Sequence, residues 1–284
     1  AGGNAIGKFI LIGDHKQLPA VVLQSESQSE VCEDCLHNIG LHNLKDSLFE
    51  RLYRNSADTT HHLSLITNRS YDMLCRQGRM NVEVARFPNH AFYGGLLEAV
   101  GLPHQQGELV LAPGLESDEF ADVLVSRVAF LPSVPEFPSQ SAKINHFEAR
   151  LTARLAASVY RQYEASNSGF NSALTLGVIT PYRSQIALIK REIAALGIPV
   201  LNDILVDTVE RFQGSERDVI IYSFCVNRTY QLKFLANLTE EKGVWIDRKL
   251  NVALTRARKQ LFMTGVPHLL RQNPIYADLL DTVL

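Results

Sequence analysis

The stretch LTLGVITPYRSQIALIKREIAALG, residues 174–197, decides the fold class. Residues 174–180 are predicted to form a strand that is apolar on both faces, and residues 182–196 a helix that is closed by Gly197. Strands of this kind are typical of parallel sheets, because helices cover both sides of such a sheet. The stretch therefore predicts one strand and one covering helix of an α/β protein.

The same alternation of apolar strands and longer helices runs through much of the chain. Further strands are predicted at residues 8–12, 128–131, 205–209, 219–226 and 260–265. Helices are predicted at residues 46–54, after an Asn145 N-cap to about residue 163, near residues 232 and 251, and from residue 80 onward. This last helix is expected to break near Pro88, before a turn at Gly94 and Gly95. The pattern predicts a doubly wound α/β fold from about residue 66 to the end.

Composition excludes several classes of protein. Hydrophobic residues make up 46% and charged residues 20% of the 284 positions, as in ordinary globular proteins. With a formal charge of -2, the chain lacks the excess of basic residues that simple nucleic-acid binders have. Any contact with phosphate therefore has to come from a local group of basic residues. The apolar runs are too short to cross a bilayer, so no membrane partner is expected. Four cysteines are few for a secreted scaffold and favour a cytoplasmic location.

The amino-terminal residues partly match a phosphate-binding loop. Gly2, Gly7 and Lys8 have the required spacing, but Phe9 occupies the position where a Ser or Thr hydroxyl would hold magnesium. A strand is predicted after the motif, where a working loop needs a helix. We interpret the match as accidental.

Polar residues follow two of the predicted strands directly. Asp14 and Gln17 come after residues 8–12, and Thr180 begins a turn into a helix whose free N–H groups suit a phosphate. Ligands collect at the carboxyl ends of strands in open α/β sheets. The alternative is an ordinary turn that ends a strand.

The segment DTVERFQGSERDVII, residues 207–221, contains a polar loop between two predicted strands. Gly214 allows the backbone to approach a ligand closely, and Glu216 can accept a hydrogen bond from a sugar hydroxyl. Taken alone, the segment is better explained as an ordinary polar connection between two elements.

Residues 24–43 are polar and are predicted to form an irregular loop that contains Cys32, Cys35, His37 and His42. The C-x-x-C spacing suits zinc, but His37 lies so close to Cys35 that a tetrahedral set is cramped. A solvated loop with reduced thiols is therefore favoured, and no metal ligand is assigned.

Arg256 and Arg258 lie where a predicted helix gives way to a core strand. Cations are stabilised at helix C-termini by the partial negative charge of the last carbonyl groups. The alternative is that one guanidinium binds a phosphate group.

Four separated segments together resemble the motor motifs of superfamily 1 helicases, in the group of the RNA-surveillance helicases and the replication nuclease-helicases. They are LIGDHKQLPAVV (11–22), CRQGRM (75–80), VDTVERFQGSERDVII (206–221) and KLNVALTRAR (249–258), which resemble the third to sixth motifs in order. The resemblance implies a RecA-like P-loop NTPase fold and an ATP-dependent motor. It covers nearly the whole chain.

The resemblance also implies roles at the nucleotide. Gln17 would sense the γ-phosphate, and Asp14 would couple that sensor to the rest of the motor. Arg79 and Arg256 would act as arginine fingers that stabilise charge in the transition state, and Arg258 would be a helix-end or surface charge. Arg256→Lys is then expected to slow the reaction more than it impairs folding.

Other residues would contact the ribose and the nucleic acid. Glu216 would hold the ribose, with Gly214 leaving room for it. Thr180, Thr208 and residues near Pro19 would contact the backbone of a single strand, with DNA favoured over RNA. A non-catalytic module that binds nucleic acid or protein remains the alternative from another class.

The chain departs from the family pattern in two ways. Gly78 replaces the aromatic residue that usually precedes Arg79, and no segment supplies the phosphate loop or the acidic pair that binds Mg²⁺. We therefore expect residues 1–65 to be the remnant of a first motor domain and residues 66–284 a complete second one. The upstream part of the same polypeptide would then be a partner that completes the ATP and Mg²⁺ sites.

The purified 284-residue chain is predicted to show no ATPase activity, because it lacks the groups that hold Mg²⁺ and the β- and γ-phosphates. Phosphate release is measured with and without single-stranded nucleic acid. Hydrolysis that depends on Mg²⁺ and rises with nucleic acid would contradict the prediction.

Overall fold

The computed structural model describes residues 10–57, 71–137, 141–241 and 243–284. The chain divides into two compact units, Ala1–Leu74 and Cys75–Leu284. The boundary predicted between residues 65 and 66 lies outside the described residues. So does the partial sequence match to a phosphate-binding loop at residues 2–9. Across the described ranges, no helix is long and apolar enough to span a bilayer.

The first unit is helical and irregular where the structure describes it. Its helices are α1 (Glu26–Ser29), α2 (Asp34–His37) and α3 (Leu48–Ala57). Helix α3 confirms the amphipathic helix predicted at residues 46–54, displaced slightly toward the C-terminus. Its Phe49 ring packs so closely on Gly13 that a Cβ atom there would lie 3.2 Å from the ring.

The buried strand predicted at residues 8–12 is wrong for the part that the structure describes. Residues 10–12 belong to no strand, and the side chains of Ile10 and Ile12 are 77% and 88% exposed. Lys8 and Phe9 lie outside the described residues. A strand of a parallel sheet is buried by paired neighbours and covering helices, and the described residues of this unit include no strand to pair with.

The second unit is built around a parallel sheet. Its strands are β1 (Arg76–Gln77), β2 (Glu98–Ala99), β3 (Val128–Pro132), β4 (Leu176–Ile179), β5 (Leu205–Asp207), β6 (Arg217–Ser223), β7 (Leu238–Glu241), β8 (Val244–Asp247) and β9 (Ala257–Gly265). Strands β3, β9, β6, β4 and β5 lie side by side in that order, and each pairs in parallel with its neighbours. Strands β1 and β2 form a small parallel pair, and β7 and β8 form an antiparallel hairpin.

Helices of the second unit connect and cover these strands. They are α4 (Val82–Tyr93), α5 (Pro103–Gln106), α6 (Ala121–Leu124), α7 (His146–Ala165), α8 (Arg183–Ala195), α9 (Val209–Phe212), α10 (Leu232–Leu235), α11 (Arg248–Leu254), α12 (Pro267–Leu270) and α13 (Pro274–Val283). Short 3₁₀ turns occupy Pro199–Asp203 and Thr229–Gln231. Helices α7, α8, α10 and α11 confirm the helices predicted at those places.

The central strands bury both of their faces. In β6, Val219 and Ile221 join one hydrophobic cluster with residues of α7 and α8. The alternate residue Tyr222 packs against Phe224 with the two rings tilted, and Phe224 in turn contacts Tyr276 of α13 on the other side of the sheet. The prediction of an α/β fold with a parallel sheet covered on both faces is therefore confirmed.

Helix α4 runs without interruption through Pro88, so the predicted break is wrong. The helix is capped by Asn81, whose side chain accepts a hydrogen bond from the backbone N–H of Glu83, and it ends at Gly94 with φ 61°. Phe87, Pro88 and other side chains of this helix are buried. Their packing outweighs the roughly 3 kcal/mol that an internal proline costs.

Glu148, in the first turn of α7, is a fully buried carboxyl group at the carboxyl ends of β3 and β6. It accepts hydrogen bonds from Ser133 Oγ at 2.9 Å, Ser223 Oγ at 2.8 Å and the Cys225 N–H at 2.9 Å. Burial outweighs these donors and raises the pKa of Glu148 to about 7. Predicted N-cap Asn145 holds the start of this helix, since its Oδ1 accepts from the Glu148 N–H at 2.9 Å.

Glu148→Gln is predicted to remove a dependence of stability on pH that Glu148 causes in the wild type. The native state keeps a proton that the unfolded chain, with a pKa near 4.5, has already lost. The free energy of unfolding should therefore fall as pH rises from about 4.5 to 7, by up to about 3 kcal/mol. Urea unfolding of wild type and variant at several pH values measures this. Glu119→Gln, at a half-exposed position, is the control, and an unchanged slope in the Glu148 variant would contradict the assignment.

Candidate nucleotide and nucleic-acid sites

The segment from Thr208 to Glu216 connects the two edges of the sheet. It leaves the carboxyl end of β5, forms α9 and enters the amino end of β6. Phe212 of α9 is fully buried against Gly177 of β4, where a Cβ atom would lie 2.7 Å from the ring. Glycine at position 177 is therefore required for the segment to pack on the sheet.

Gly214 lies in the turn that follows α9. Its φ of 80° belongs to the left-handed region, which favours glycine, and a Cβ atom there would meet nothing within 4 Å. The backbone conformation alone therefore accounts for this glycine. Room for a ligand, the role predicted from the sequence, remains a prediction.

Three of the predicted nucleotide residues belong to one hydrogen-bonded cluster at the amino edge of the sheet. Arg79 Nε donates to Glu216 Oε2 at 2.8 Å, and Arg79 Nη1 donates to the Thr255 carbonyl oxygen at 3.2 Å. Arg256 Nη2 donates to Thr255 Oγ1 at 3.0 Å, and Arg256 Nη1 to the Ser215 carbonyl oxygen at 3.3 Å. The fold thus brings Arg79, Glu216 and Arg256 together.

The two arginines of the cluster differ in their access to solvent. Arg256 is 2% exposed, and its Nε also donates to the Val252 carbonyl oxygen at 3.0 Å. The Arg79 side chain is 36% exposed. A ligand can therefore reach Arg79 directly, whereas Arg256 has to release a backbone contact first.

Arg258, which the sequence predicts to be a helix-end or surface charge, is a further cation of this cluster. Its Nε lies 3.5 Å from Glu216 Oε1, and its Nη1 lies 3.2 Å from Asp218 Oδ1. Helix α11 ends at Leu254, and Arg258 already belongs to β9. The signal in the sequence is the pair of arginines, two residues apart, at the junction between a helix and a core strand.

This cluster is suited to an anion with a sugar attached. Each guanidinium presents five N–H donors, and Arg79 and Arg258 keep part of their surface accessible. Glu216 is already an acceptor for Arg79, so a ribose hydroxyl has to use a remaining lone pair or displace that arginine.

Thr180 and Thr208 follow the carboxyl ends of β4 and β5, at the opposite edge of the sheet. The Thr208 N–H donates to Asp207 Oδ1 at 2.8 Å, and Thr208 lines an open groove together with Arg183 and Arg211. Thr180 is buried, and its hydroxyl has no hydrogen-bond partner among the described residues. The candidates for nucleotide and nucleic-acid contact are thus separated by the length of the strands.

Asp14 and Gln17 form a local pair in the first unit. Gln17 Nε2 donates to Asp14 Oδ2 at 2.9 Å, and the Lys16 N–H donates to Asp14 Oδ1 at 3.0 Å. Pro19 follows this turn and is half-buried. Their predicted part in the nucleotide and nucleic-acid sites remains a prediction.

The cysteine-containing loop shows no assembled metal site in the described ranges. Cys32 and Cys35 are exposed, and His37 Nε2 lies 2.5 Å from the Val31 carbonyl oxygen. The His37 and His42 rings are 4.9 Å apart. Among the described residues, no group of three or more His, Cys, Asp or Glu side chains is placed to hold a metal ion.

Arg256→Lys is predicted to lower the free energy of unfolding by about 1–3 kcal/mol, because lysine cannot replace three buried guanidinium hydrogen bonds. Arg258→Lys is the matched control, since that side chain is 35% exposed, and its effect should stay within about 0.5 kcal/mol. Chemical denaturation of the purified chain measures both. Equal effects of the two changes would show that Arg256 has no special structural role.

Comparison with known proteins places the chain among helicases. Residues 44–268 match a family model described as an AAA domain. The chain is 29% identical to the uncharacterized ATP-dependent helicase MJ0104 of Methanocaldococcus jannaschii, over 96% of this chain and 34% of that protein. It is 32% identical to the DNA replication ATP-dependent helicase/nuclease DNA2 of Xenopus laevis, over 93% and 23% respectively. Helicase sen1 of Schizosaccharomyces pombe is 27% identical, over 98% and 14%.

The chain spans about a third or less of the length of these relatives. Among solved structures, the C-terminal domain of a possible DNA helicase from a Lactobacillus aligns with 70% of this chain and 96% of its own, at 13% identity and a TM-score of 0.36. Because the family model covers residues 44–268, the chain belongs to the AAA domain family, in the superfamily 1 helicase group that includes the nuclease-helicases.

Proposed function

We propose that this chain is the C-terminal motor portion of an ATP-dependent helicase, which couples ATP hydrolysis to movement along a nucleic-acid strand and to unwinding. The observation that carries the proposal is the cluster of Arg79, Glu216 and Arg256 at one edge of the sheet. These residues lie far apart in sequence and come from three motifs, yet Arg79 bonds Glu216 and both arginines bond Thr255. The helicase names of the relatives support the same function.

In this proposal Arg79 and Arg256 contact the γ-phosphate and stabilise the charge that spreads over its oxygens during transfer. Gln17 senses that phosphate, and Asp14 holds the Gln17 amide, as their 2.9 Å hydrogen bond allows. Glu216 accepts a ribose hydroxyl once Arg79 turns toward the phosphate. ATP binding then exchanges one ion pair for another.

A strand of nucleic acid would contact the opposite edge through Thr180 and Thr208, and the first unit through residues near Pro19. We favour DNA, because the spacers between the motifs leave little room for accessory insertions, and because the Xenopus relative is named for DNA replication. RNA is the alternative. Competition between labelled single-stranded DNA and unlabelled RNA of the same sequence distinguishes them.

We further propose that residues 1–65 belong to a first motor domain and residues 66–284 form the second. Hydrolysis then needs a phosphate loop and a Mg²⁺-binding acidic pair from outside these 284 residues. Arg79, Arg258 and Lys259 form ion pairs with Glu216 and Asp218. Those two carboxylates are therefore poorly suited to hold the metal.

Arg79→Ala is predicted to lower the kcat of nucleic-acid-stimulated ATP hydrolysis about a thousand-fold. The enzyme to test is the natural polypeptide that carries this chain. The Arg79 side chain is partly exposed, so the fold should tolerate the change. Phosphate release is measured at saturating ATP and oligonucleotide, with the affinity for oligonucleotide measured in parallel.

Arg271→Ala serves as the control, because this exposed arginine pairs with Asp281 of α13 and, in the part of the chain that the structure describes, makes no hydrogen bond or ion pair with the cluster. It should leave kcat unchanged. Wild-type rates in the Arg79 variant, or no hydrolysis by the wild-type polypeptide, would overturn the proposal.

A further inference from the structure

A solvent-exposed aromatic ring contacts a guanidinium group at the carboxyl edge of the sheet. Phe137, in the loop after β3, is 52% exposed, although large apolar side chains are usually buried. The Arg228 guanidinium lies 4.0 Å from the centre of the ring. This distance is that of a close cation–π contact, which holds the ring in place at the surface.

The loops that carry this pair are fastened by the buried side chain of Asn227. Its Oδ1 accepts from the Glu136 N–H at 3.1 Å and from Asn145 Nδ2 at 2.8 Å, and its Nδ2 donates to the Ile144 carbonyl oxygen at 2.7 Å. Glu136 also contacts His146, with its Oε1 2.7 Å from the Nδ1 atom. Both partners of the exposed pair therefore stand on ordered backbone, which lowers the entropy lost when a ligand binds.

The pair shares its edge with the two threonines proposed to contact nucleic acid. Arg228 follows β6, which lies beside β4, and β4 lies beside β5. Gln231 Nε2 donates to Tyr182 Oη at 3.1 Å and so ties the loop after β6 to the turn after β4. Neighbouring strands are about 4.8 Å apart, so the ends of β6 and β5 are about 10 Å apart.

A second observation on this edge points to a ligand. The buried hydroxyl of Thr180 has no hydrogen-bond partner among the described residues, although buried polar groups are nearly always paired. The groove beside Thr208 adds Arg183 and Arg211, but also Asp207 and Glu210, so its charge alone does not select an anion. The exposed ring supplies what the groove lacks, namely a flat apolar surface.

We propose that Phe137 and Arg228 form a base-stacking site for single-stranded nucleic acid. A base lies on the Phe137 ring, and the Arg228 guanidinium supports that ring and donates to the adjacent phosphate. The strand continues along the carboxyl edge past Thr180 to Thr208. This inference rests on the proposed function. It adds a contact to a base, whereas the threonines would contact only the nucleic-acid backbone.

The test measures binding of labelled oligo-deoxythymidine to the purified chain by fluorescence anisotropy. Phe137→Ala should weaken binding about ten-fold, as expected for one stacked base, and Phe137→Tyr should keep most of the affinity. Trp245→Ala is the matched control, because Trp245 is 55% exposed but lies beside α4 and α13. It should bind like wild type, and circular dichroism verifies that each variant is folded.

An oligonucleotide of abasic sites separates stacking from backbone contact. Wild type and Phe137→Ala should bind it equally, whereas Arg228→Gln should weaken binding of both oligonucleotides. If Phe137→Ala weakens binding of both oligonucleotides equally, or of neither, the stacking site is overturned.

Thr208→Val distinguishes this inference from the proposed function. If it weakens binding while Phe137→Ala has no effect, single-strand binding stands and the stacking site is refuted. If the wild-type chain binds no single strand, both are refuted.

Discussion

The packing of Phe212 on Gly177 is the contact on which the rest of the second unit's candidate sites depend. The ring is fully buried and lies where any side chain at position 177 would collide with it. It therefore fixes α9 on the sheet, and with it the segment from Thr208 to Glu216. One end of this segment lies at the carboxyl edge of the sheet and the other at the amino edge. A short, rigid connection thus joins the proposed nucleic-acid contact at Thr208 to the arginine cluster.

The arginine cluster has an electrostatic logic of its own. Glu216 pairs with Arg79 and lies 3.5 Å from Arg258, while Arg256 is held by backbone carbonyl groups and by Thr255. Like charges are brought close only because the carboxylates of Glu216 and Asp218 lie between them. An arriving phosphate would take over the role of these carboxylates. The ion pairs therefore hold the guanidinium groups together at the place where the proposed phosphate would bind.

The carboxyl edge is organised by buried amides rather than by charges. Asn145, Asn227 and Gln231 bond the backbone of the loop that follows β3, and Gln231 also bonds the Cys225 carbonyl oxygen after β6. Glu148 is a buried carboxyl group at the same edge. Networks of this kind are stable only when each member is satisfied. They fasten the described backbone that carries Phe137 and Arg228.

Local signals in the sequence determined the fold class and most elements of the second unit. Unbroken apolar runs identified β4, β6 and β9, and the Asn145 cap identified α7, because burial on both faces and capping depend on neighbouring residues. The motif resemblance singled out Arg79, Glu216 and Arg256. Tertiary packing alone decided that α4 continues through Pro88, since the burial that compensates for a proline comes from other elements. It also decided that Arg79 meets Glu216 across 137 residues of sequence, because such pairs form only when the elements that carry them pack together and do not follow from local periodicity.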